Sequence, residues 1–176
     1  MTDGYPLALH GYKPIEDYGI IGDLHTVALV GKDGSIDWCC LPHFDSPSVF
    51  AAILDAKKGG RFKIAPAHPA VQKQMYLPES CILVSRFLSP EGVGEVIDFM
   101  PVDENRPGNV HAHEIIRQVR VVRGRMHFRL ECRPGFEYGQ KKHTLKIERR
   151  GAIFQAGKQS LGLTSSIKLT ARGGGA

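Results

Sequence analysis

The side chains best suited to chemistry lie in one loop bracketed by Pro42 and Pro47. His43, Phe44 and Asp45 follow one another there and combine an imidazole, an aromatic ring and a carboxylate. Loops that present such side chains from a rigid support often hold binding or catalytic residues. We therefore predict that His43, Phe44 and Asp45 lie close to a substrate. The alternative is that the loop serves structure alone.

Three carboxylates lie near aromatic residues, and a pair of them could in principle act as general acid and general base. They are Asp37, Asp45 and Glu114. Nothing in the sequence distinguishes an acid from a base among them, so we expect Asp37 to lock a turn and Asp45 to cap a loop or helix. We predict no catalytic residue in this chain.

A histidine pair forms a second candidate cluster, because His111 and His113 at i and i+2 would share one face of a strand, next to Glu114. A further ligand would have to come from Glu131 or His127, and no spacing supports either. Two imidazoles do not complete a metal site. We therefore predict no metal and no other cofactor.

The single tryptophan, Trp38, could stack against a sugar or belong to the core. Ile36 and Cys40 share its face in a strand of period two, and large aromatic side chains dominate the cores of β-sandwiches. We predict that Trp38 is a core residue.

These residues must be positioned by short strands. Residues 26–30 and 36–41 flank a Lys-Asp-Gly turn and predict a β-hairpin. Pro47 suits the first position of a short helix over residues 48–54, and residues 14–22 resemble a docking loop. Further strands are predicted over residues 61–65, 71–77, 82–88, 95–102, 115–122, 126–133, 145–148, 152–155, 161–165 and 167–170.

This series of short strands, with one short helix, is typical of an antiparallel β-sandwich. We predict an all-β sandwich domain over residues 13–171, preceded by an N-terminal arm over 1–12 and followed by a flexible tail over 172–176. The glycine-rich end follows a strand without a capping element, which suggests that the sandwich is truncated there.

The net charge of +5 is unevenly distributed. Residues 1–116 contain nine Lys/Arg and 15 Asp/Glu, whereas residues 117–176 contain 14 and three. A basic segment can indicate nucleic-acid binding, but the exposed aromatic residues that base stacking requires are not interleaved with it. We expect these cations on the solvated face of a sheet, and no nucleic-acid partner.

The chain has no apolar run of membrane-spanning length and no secretory signal, so we predict a soluble cytoplasmic protein without membrane contact. Its four cysteines lack C-x-x-C spacing, which predicts buried free thiols.

Several motifs, taken in order, resemble one family. They are I-E-D-Y-G-I-I-G-D at 15–23, D-G-S-I-D-W at 33–38, L-P-H-F-D-S-P at 41–47, D-F-M-P at 98–101 and R-P-G-F-E-Y-G at 133–139. Together they resemble the N-terminal β-sandwich domain of bacterial and archaeal glucoamylase- and trehalase-like proteins of glycoside hydrolase family 15.

The resemblance implies a supersandwich-like domain that packs against a catalytic (α/α)6 barrel, where two glutamates hydrolyse α-glucosidic bonds with inversion. Because those glutamates belong to the barrel, we expect this chain to be a non-catalytic accessory domain, inactive alone, that shapes the barrel. A stand-alone α-glucan-binding module is the alternative, and an α-glucoside is the expected ligand. Without the barrel, exposed apolar surface predicts a homodimer or higher oligomer.

Overall fold

The computed structural model describes residues 12–102 and 113–176. The fold of these residues is all-β with antiparallel pairing throughout, which confirms the predicted class. Their one regular helical element is a single 3-10 turn at Ile15–Asp17, because the turn Phe136–Gly139 contains two residues, Glu137 and Tyr138, with left-handed φ angles of 50° and 61°. No helix among the described residues is long and apolar enough to cross a membrane.

Thirteen strands form three sheets in the described part of the chain. A six-stranded sheet has the order β1-β2-β3-β5-β10, with β4 paired to β3; a four-stranded sheet has the order β6-β7-β8-β9, and a three-stranded sheet β11-β12-β13. The strands are β1 (Tyr18–Gly22), β2 (Val27–Gly31), β3 (Ser35–Cys40), β4 (Ser48–Phe50), β5 (Gly60–Pro66), β6 (Val71–Tyr76), β7 (Leu83–Leu88), β8 (Gly92–Phe99), β9 (Ile116–Gly124), β10 (Phe128–Pro134), β11 (Thr144–Glu148), β12 (Gly151–Ala156) and β13 (Gln159–Thr164).

The predicted hairpin is confirmed as β2 and β3. Its turn requires glycine at position 34 for two reasons. Gly34 has a left-handed φ of +78°, and a Cβ atom at this position would lie 2.1 Å from the Ile64 carbonyl oxygen. Pairing shifts register within the hairpin, because Leu29 faces Trp38 whereas Val30 faces Ile36. Asp37 therefore lies in a β-bulge, a feature that redirects side chains.

The predicted helix over residues 48–54 is wrong, since Ser48–Phe50 forms β4 and turns follow it. All three β4 residues are buried, and the next residue, Ala51, continues the extended path by donating its N–H to the Gly59 carbonyl at 2.7 Å. Burial on both faces favours a strand here over a helix that would bury one side only. Residues 18–22, expected in a loop, form β1 because β2 lies beside them and pairs with them.

The core is one continuous cluster to which all three sheets contribute. Its largest fully buried side chains include Phe50, Phe87, Phe136 and Phe154. Cys39, Cys40 and Cys132 are buried as free thiols, as predicted. Cys81 differs from the prediction because it is an exposed free thiol.

One arginine joins the four-stranded sheet to the six-stranded sheet. Arg117 in β9 binds both carboxylate oxygens of Asp98, at 2.8 and 3.1 Å, and both residues are almost fully buried. Its remaining N–H groups donate to the carbonyls of Phe62 (2.7 Å) and Gly34 (2.8 Å). This member of the basic segment therefore lies inside the sandwich and not on its solvated face.

The C-terminal residues differ from expectation. Residues 1–11 of the predicted arm lie outside the described residues. The expected flexible tail pairs with β10, because Cys132 and Ala176 exchange two backbone hydrogen bonds of 2.7 and 2.9 Å. Residues 167–170, predicted as a strand, have no regular structure.

Candidate functional site

Two loops meet at the end of the β2–β3 hairpin opposite its turn. One connects β1 to β2 through residues 23–26, and the other connects β3 to β4 through residues 41–47. The Phe44 N–H donates to the His25 carbonyl at 3.0 Å, and the Thr26 hydroxyl donates to the Cys40 carbonyl at 2.5 Å. One backbone and one side-chain hydrogen bond thus fix the two loops against each other.

The predicted substrate-proximal residues lie in the second of these loops and are all exposed. Phe44 is 57% exposed although the loop backbone is well ordered by hydrogen bonds. The His43 N–H donates to the Ser46 hydroxyl, and the Ser46 N–H donates to the His43 carbonyl, both at 3.1 Å. The loop therefore presents His43, Phe44 and Asp45 outward from a fixed backbone.

Three imidazole rings converge on this loop. The ring centre of His113 lies 5.5 Å from that of His25 and 5.5 Å from that of His43, and the latter two are 6.1 Å apart. Asp23 binds the Nδ1 atom of His113 through Oδ2 at 2.6 Å. Asp23, His25 and His113 place ligand-type atoms within 4.8 Å of one another. The result is a compact group of three histidines and one carboxylate.

This grouping differs from the sequence hypothesis for His113. The predicted partner His111 lies outside the described residues, and the group that forms around His113 contains Asp23 and His25 in place of Glu131 or His127. The sequence gives one signal for Asp23 and His25, which is their Asp-x-His spacing. It gives none for their contact with His113, because 90 positions separate Asp23 from His113.

Asp23 is electrostatically the centre of the cluster. Burial favours its protonated form, but hydrogen bonds from His113, Thr26 and His25 outweigh burial and hold the pKa of the Asp23 carboxyl below its ordinary value. Its Oδ1 accepts the N–H groups of His25 (3.0 Å) and Thr26 (2.9 Å), which closes the β1–β2 turn. Leu24 in this turn has a left-handed φ of 73°.

Of the three carboxylates considered from sequence, Asp37 has a structural role. Asp37 is buried, contacts the Lys13 ammonium and accepts a hydrogen bond from the Tyr18 hydroxyl at 2.8 Å. Burial and this hydrogen bond both raise the pKa of Tyr18.

Trp38 lies outside the main core cluster, contrary to its predicted place there. It is half-buried, and its ring centre lies 6.2 Å from that of Tyr138, a partly exposed residue of the turn after β10. Because of the bulge at Asp37, the side chains of β3 do not alternate between the two faces of the sheet as assumed for Trp38. The two rings form a second aromatic surface besides Phe44.

Comparison with known proteins identifies the chain. Residues 7–169 match the family model described as "Trehalase-like, N-terminal". The chain is 35% identical to the trehalase of Thermoplasma volcanium, with 93% of this chain and 26% of the relative covered. It is 34% identical to the trehalase of Mycolicibacterium smegmatis (76% and 22% covered) and 33% identical to trehalase 2 of Sulfolobus acidocaldarius (84% and 23%).

The chain thus spans about a quarter of the length of these relatives. No solved structure gives a significant match. Because the family model covers nearly the whole sequence, the chain belongs to the family of trehalase-like N-terminal domains.

Proposed function

We propose that this domain is the accessory part of an α-glucoside hydrolase of glycoside hydrolase family 15, in which it packs against a catalytic (α/α)6 barrel and shapes the substrate entrance. The observation that carries the proposal is the loop of His43, Phe44 and Asp45, which holds an exposed aromatic ring on a fixed backbone. Such a loop suits contact with a sugar ring or with the rim of a partner domain.

The relatives support the choice of partner and substrate. Each is named a trehalase and is about four times as long as this chain, so the longer proteins contain further domains. By this proposal the substrate is trehalose or a related α-glucoside. The domain alone is inactive, because the two glutamates that catalyse hydrolysis in the family that it resembles belong to the barrel.

An apolar cleft supports packing against another protein body. Its volume is about 850 Å³, and it opens beside β9, where Ile116 and Val119 are both lining and exposed. Exposed apolar surface of this kind is typical of protein interfaces. Other lining residues are Phe62, Ile64, Phe128, Leu130, Leu161 and Leu163.

The proposal is tested in a full-length relative. Alanine in place of the residues of the Thermoplasma volcanium trehalase that align with Phe44 and Asp45 should lower kcat/KM for trehalose by about tenfold or more, equivalent to roughly 1.4 kcal/mol of transition-state stabilisation. The control is alanine at the position that aligns with Leu54, an exposed apolar residue outside the loop in this chain. Unchanged kcat/KM with unchanged thermal stability would contradict a role at the entrance.

A stand-alone α-glucan-binding module is the second candidate, favoured by the ring pair of Trp38 and Tyr138. Because Trp38 is the only tryptophan, its fluorescence reports directly on this surface. Saturable quenching by maltoheptaose or trehalose that is lost in Tyr138→Ala would favour the module. An accessory scaffold should show no saturable change.

We propose a cytoplasmic location because the cysteines form no disulfide bonds. All four cysteines are free thiols, and proteins from oxidising compartments commonly form disulfides.

A further inference from the structure

The outer border of β10, on the side away from β5, begins a strand pairing that the described residues do not complete. Cys132 and Ala176 each donate a backbone N–H to the other's carbonyl, at 2.7 and 2.9 Å. Such a reciprocal pair is the hydrogen-bonded pair of an antiparallel ladder. In that ladder the direction of the chain at Ala176 leads toward the start of β10. The next residues of β10 to be paired are therefore Leu130 and then Phe128.

The backbone groups of Leu130 point outward, away from β5. Leu130 faces Ile64 in the pairing of β10 with β5, and the Ile64 N–H donates at 3.0 Å to the Gly34 carbonyl on the other side of β5. Leu130 and Ile64 are therefore a non-hydrogen-bonded pair, whose backbone groups point away from each other. Phe128, two residues earlier, has the same orientation. No backbone hydrogen bond from a described residue reaches the outer groups of Leu130 or Phe128.

The same two residues line the apolar cleft of about 850 Å³. Side chains that lie directly opposite each other in an antiparallel pair share one face of the sheet. Every second side chain of a strand beside β10 would therefore enter the cleft next to Leu130 and Phe128. Gly162 of β13 leaves room there, because it also lines the cleft and a Cβ atom at this position would meet no atom within 4 Å.

We propose that the outer border of β10 and the cleft together bind one extended strand, antiparallel to β10, in which every second side chain is apolar. Main-chain hydrogen bonds to Leu130 and Phe128 hold this strand, and the cleft selects the apolar side chains. The strand comes from the polypeptide that follows this domain in the longer hydrolases, so the inference rests on the proposed function. The relatives have the length to supply it, since this chain spans about a quarter of each.

Chain extensions test the register of the strand. Six residues are added directly after Ala176, with valine at the second, fourth and sixth positions and threonine at the others, so that valine lies opposite Leu130 and Phe128. Hydrogen exchange of the Leu130 and Phe128 amides should slow by about 100-fold or more relative to the parent chain. The matched control exchanges the valines and threonines, so that threonine faces the cleft, and should protect these amides much less.

Two results of this experiment would overturn the proposal. One is equal exchange rates of both amides in the extended and parent chains. The other is equal protection by the two extensions, since the cleft would then select no side chain. Amides of Leu130 and Phe128 that are protected in the parent chain and lose protection on dilution would assign this border to a second copy, which also contradicts the proposal.

A peptide tests the source of the strand. The probe is a short fluorescent peptide with the sequence that directly follows the aligned segment of the Thermoplasma volcanium trehalase. It should bind this chain saturably, and Val119→Glu should weaken binding by about tenfold or more, because it places a charge in the apolar cleft. Val122→Glu is the matched control, since Val122 is equally an exposed valine of β9 but does not line the cleft.

No saturable binding, or equal binding to Val119→Glu and Val122→Glu, would refute this source of the strand. These measurements need no sugar and no activity. The role of the loop at the substrate entrance is measured separately, by kcat/KM in the full-length relative, so either proposal can fail without the other.

Discussion

Asp33, at the tip of the β2–β3 hairpin, is bound by two lysines. Lys63 lies 2.6 Å from Oδ2 and Lys13 lies 3.2 Å from Oδ1, which also accepts the Ser35 hydroxyl at 2.8 Å. Burial would raise the pKa of the carboxyl, but the two ammonium groups outweigh it and lower the pKa from 3.8 to about 2. The ionised form of Asp33 therefore stabilises the fold.

This ion pair network predicts a pH-dependent effect of Asp33→Asn. The folded-state pKa lies below the unfolded one, so the stabilisation is present above pH 4 and is lost as pH falls toward about 2. Urea unfolding should show Asp33→Asn to be about 2 kcal/mol less stable at pH 7, with the difference shrinking across that window. Asp17→Asn, which breaks a more exposed pair with Lys32, is the control. A difference independent of pH would contradict the assignment.

The four cysteine thiols should differ in their reactivity, because three are buried and one is exposed. Burial raises the pKa of both Cys39 and Cys132 to about 12, so neither forms the reactive thiolate at pH 8. Cys40 is buried as well, whereas Cys81 is exposed. A chromogenic disulfide reagent should therefore titrate one thiol rapidly in the native chain and four in urea. Cys81→Ser should remove the rapid phase, and a rapid phase that persists would disprove this reading of burial.

At the level of elements, the two larger sheets are connected through Arg117. Removing this side chain leaves the Asp98 carboxylate buried without its bidentate partner, a change that usually costs about 3–5 kcal/mol. Arg117→Met should lower the free energy of unfolding by that amount in urea denaturation. The control is Arg120→Met, which should cost about 1 kcal/mol or less, because Arg120 is 59% exposed and its partner Glu95 keeps Arg86.

A double variant separates the charge from the packing. Arg117→Met combined with Asp98→Leu removes both buried charges, so it should recover part of the loss seen in Arg117→Met. Asp98→Leu is also measured alone. If the losses of stability in Arg117→Met and Asp98→Leu simply add up in the double variant, the ion pair does not hold the sheets together.

Elements defined by local sequence could be predicted, and those defined by distant partners could not. The β2–β3 hairpin follows from its own turn residues, and β10 from unbroken alternation up to Cys132. By contrast, Ser48–Phe50 has a plausible helix start but becomes β4, because β3 offers a pairing edge. The site divides in the same way: His43 was identified from its loop, whereas Asp23 and His25 become relevant only when the fold brings His113 to them.

At the scale of the whole molecule, the described residues leave an apolar edge exposed along β9. This strand forms one border of the four-stranded sheet, and Val119, Val121 and Val122 are exposed on it. Edge strands with apolar side chains associate readily. We propose that the isolated domain forms a dimer or a larger assembly through this edge.

Light scattering tests the assembly. The parent chain should show a concentration-dependent mass of at least two chains, and Val121→Lys should shift it toward the monomer because a charge at the edge opposes pairing. Thr144→Lys, on β11 of the other small sheet, is the control. A monomeric parent chain at high concentration would argue against the edge as an interface.

The pairing of β5 with β10 has a consequence for synthesis on the ribosome. Strand β5 ends at Pro66, but its partner is complete only at Pro134, after the whole four-stranded sheet has been translated. At roughly 5–20 residues per second, the roughly 70 intervening residues take about 3 to 14 s to appear. For that interval one border of β5 has no native strand to pair with, which makes the nascent chain a natural client for chaperones that cover unpaired strands.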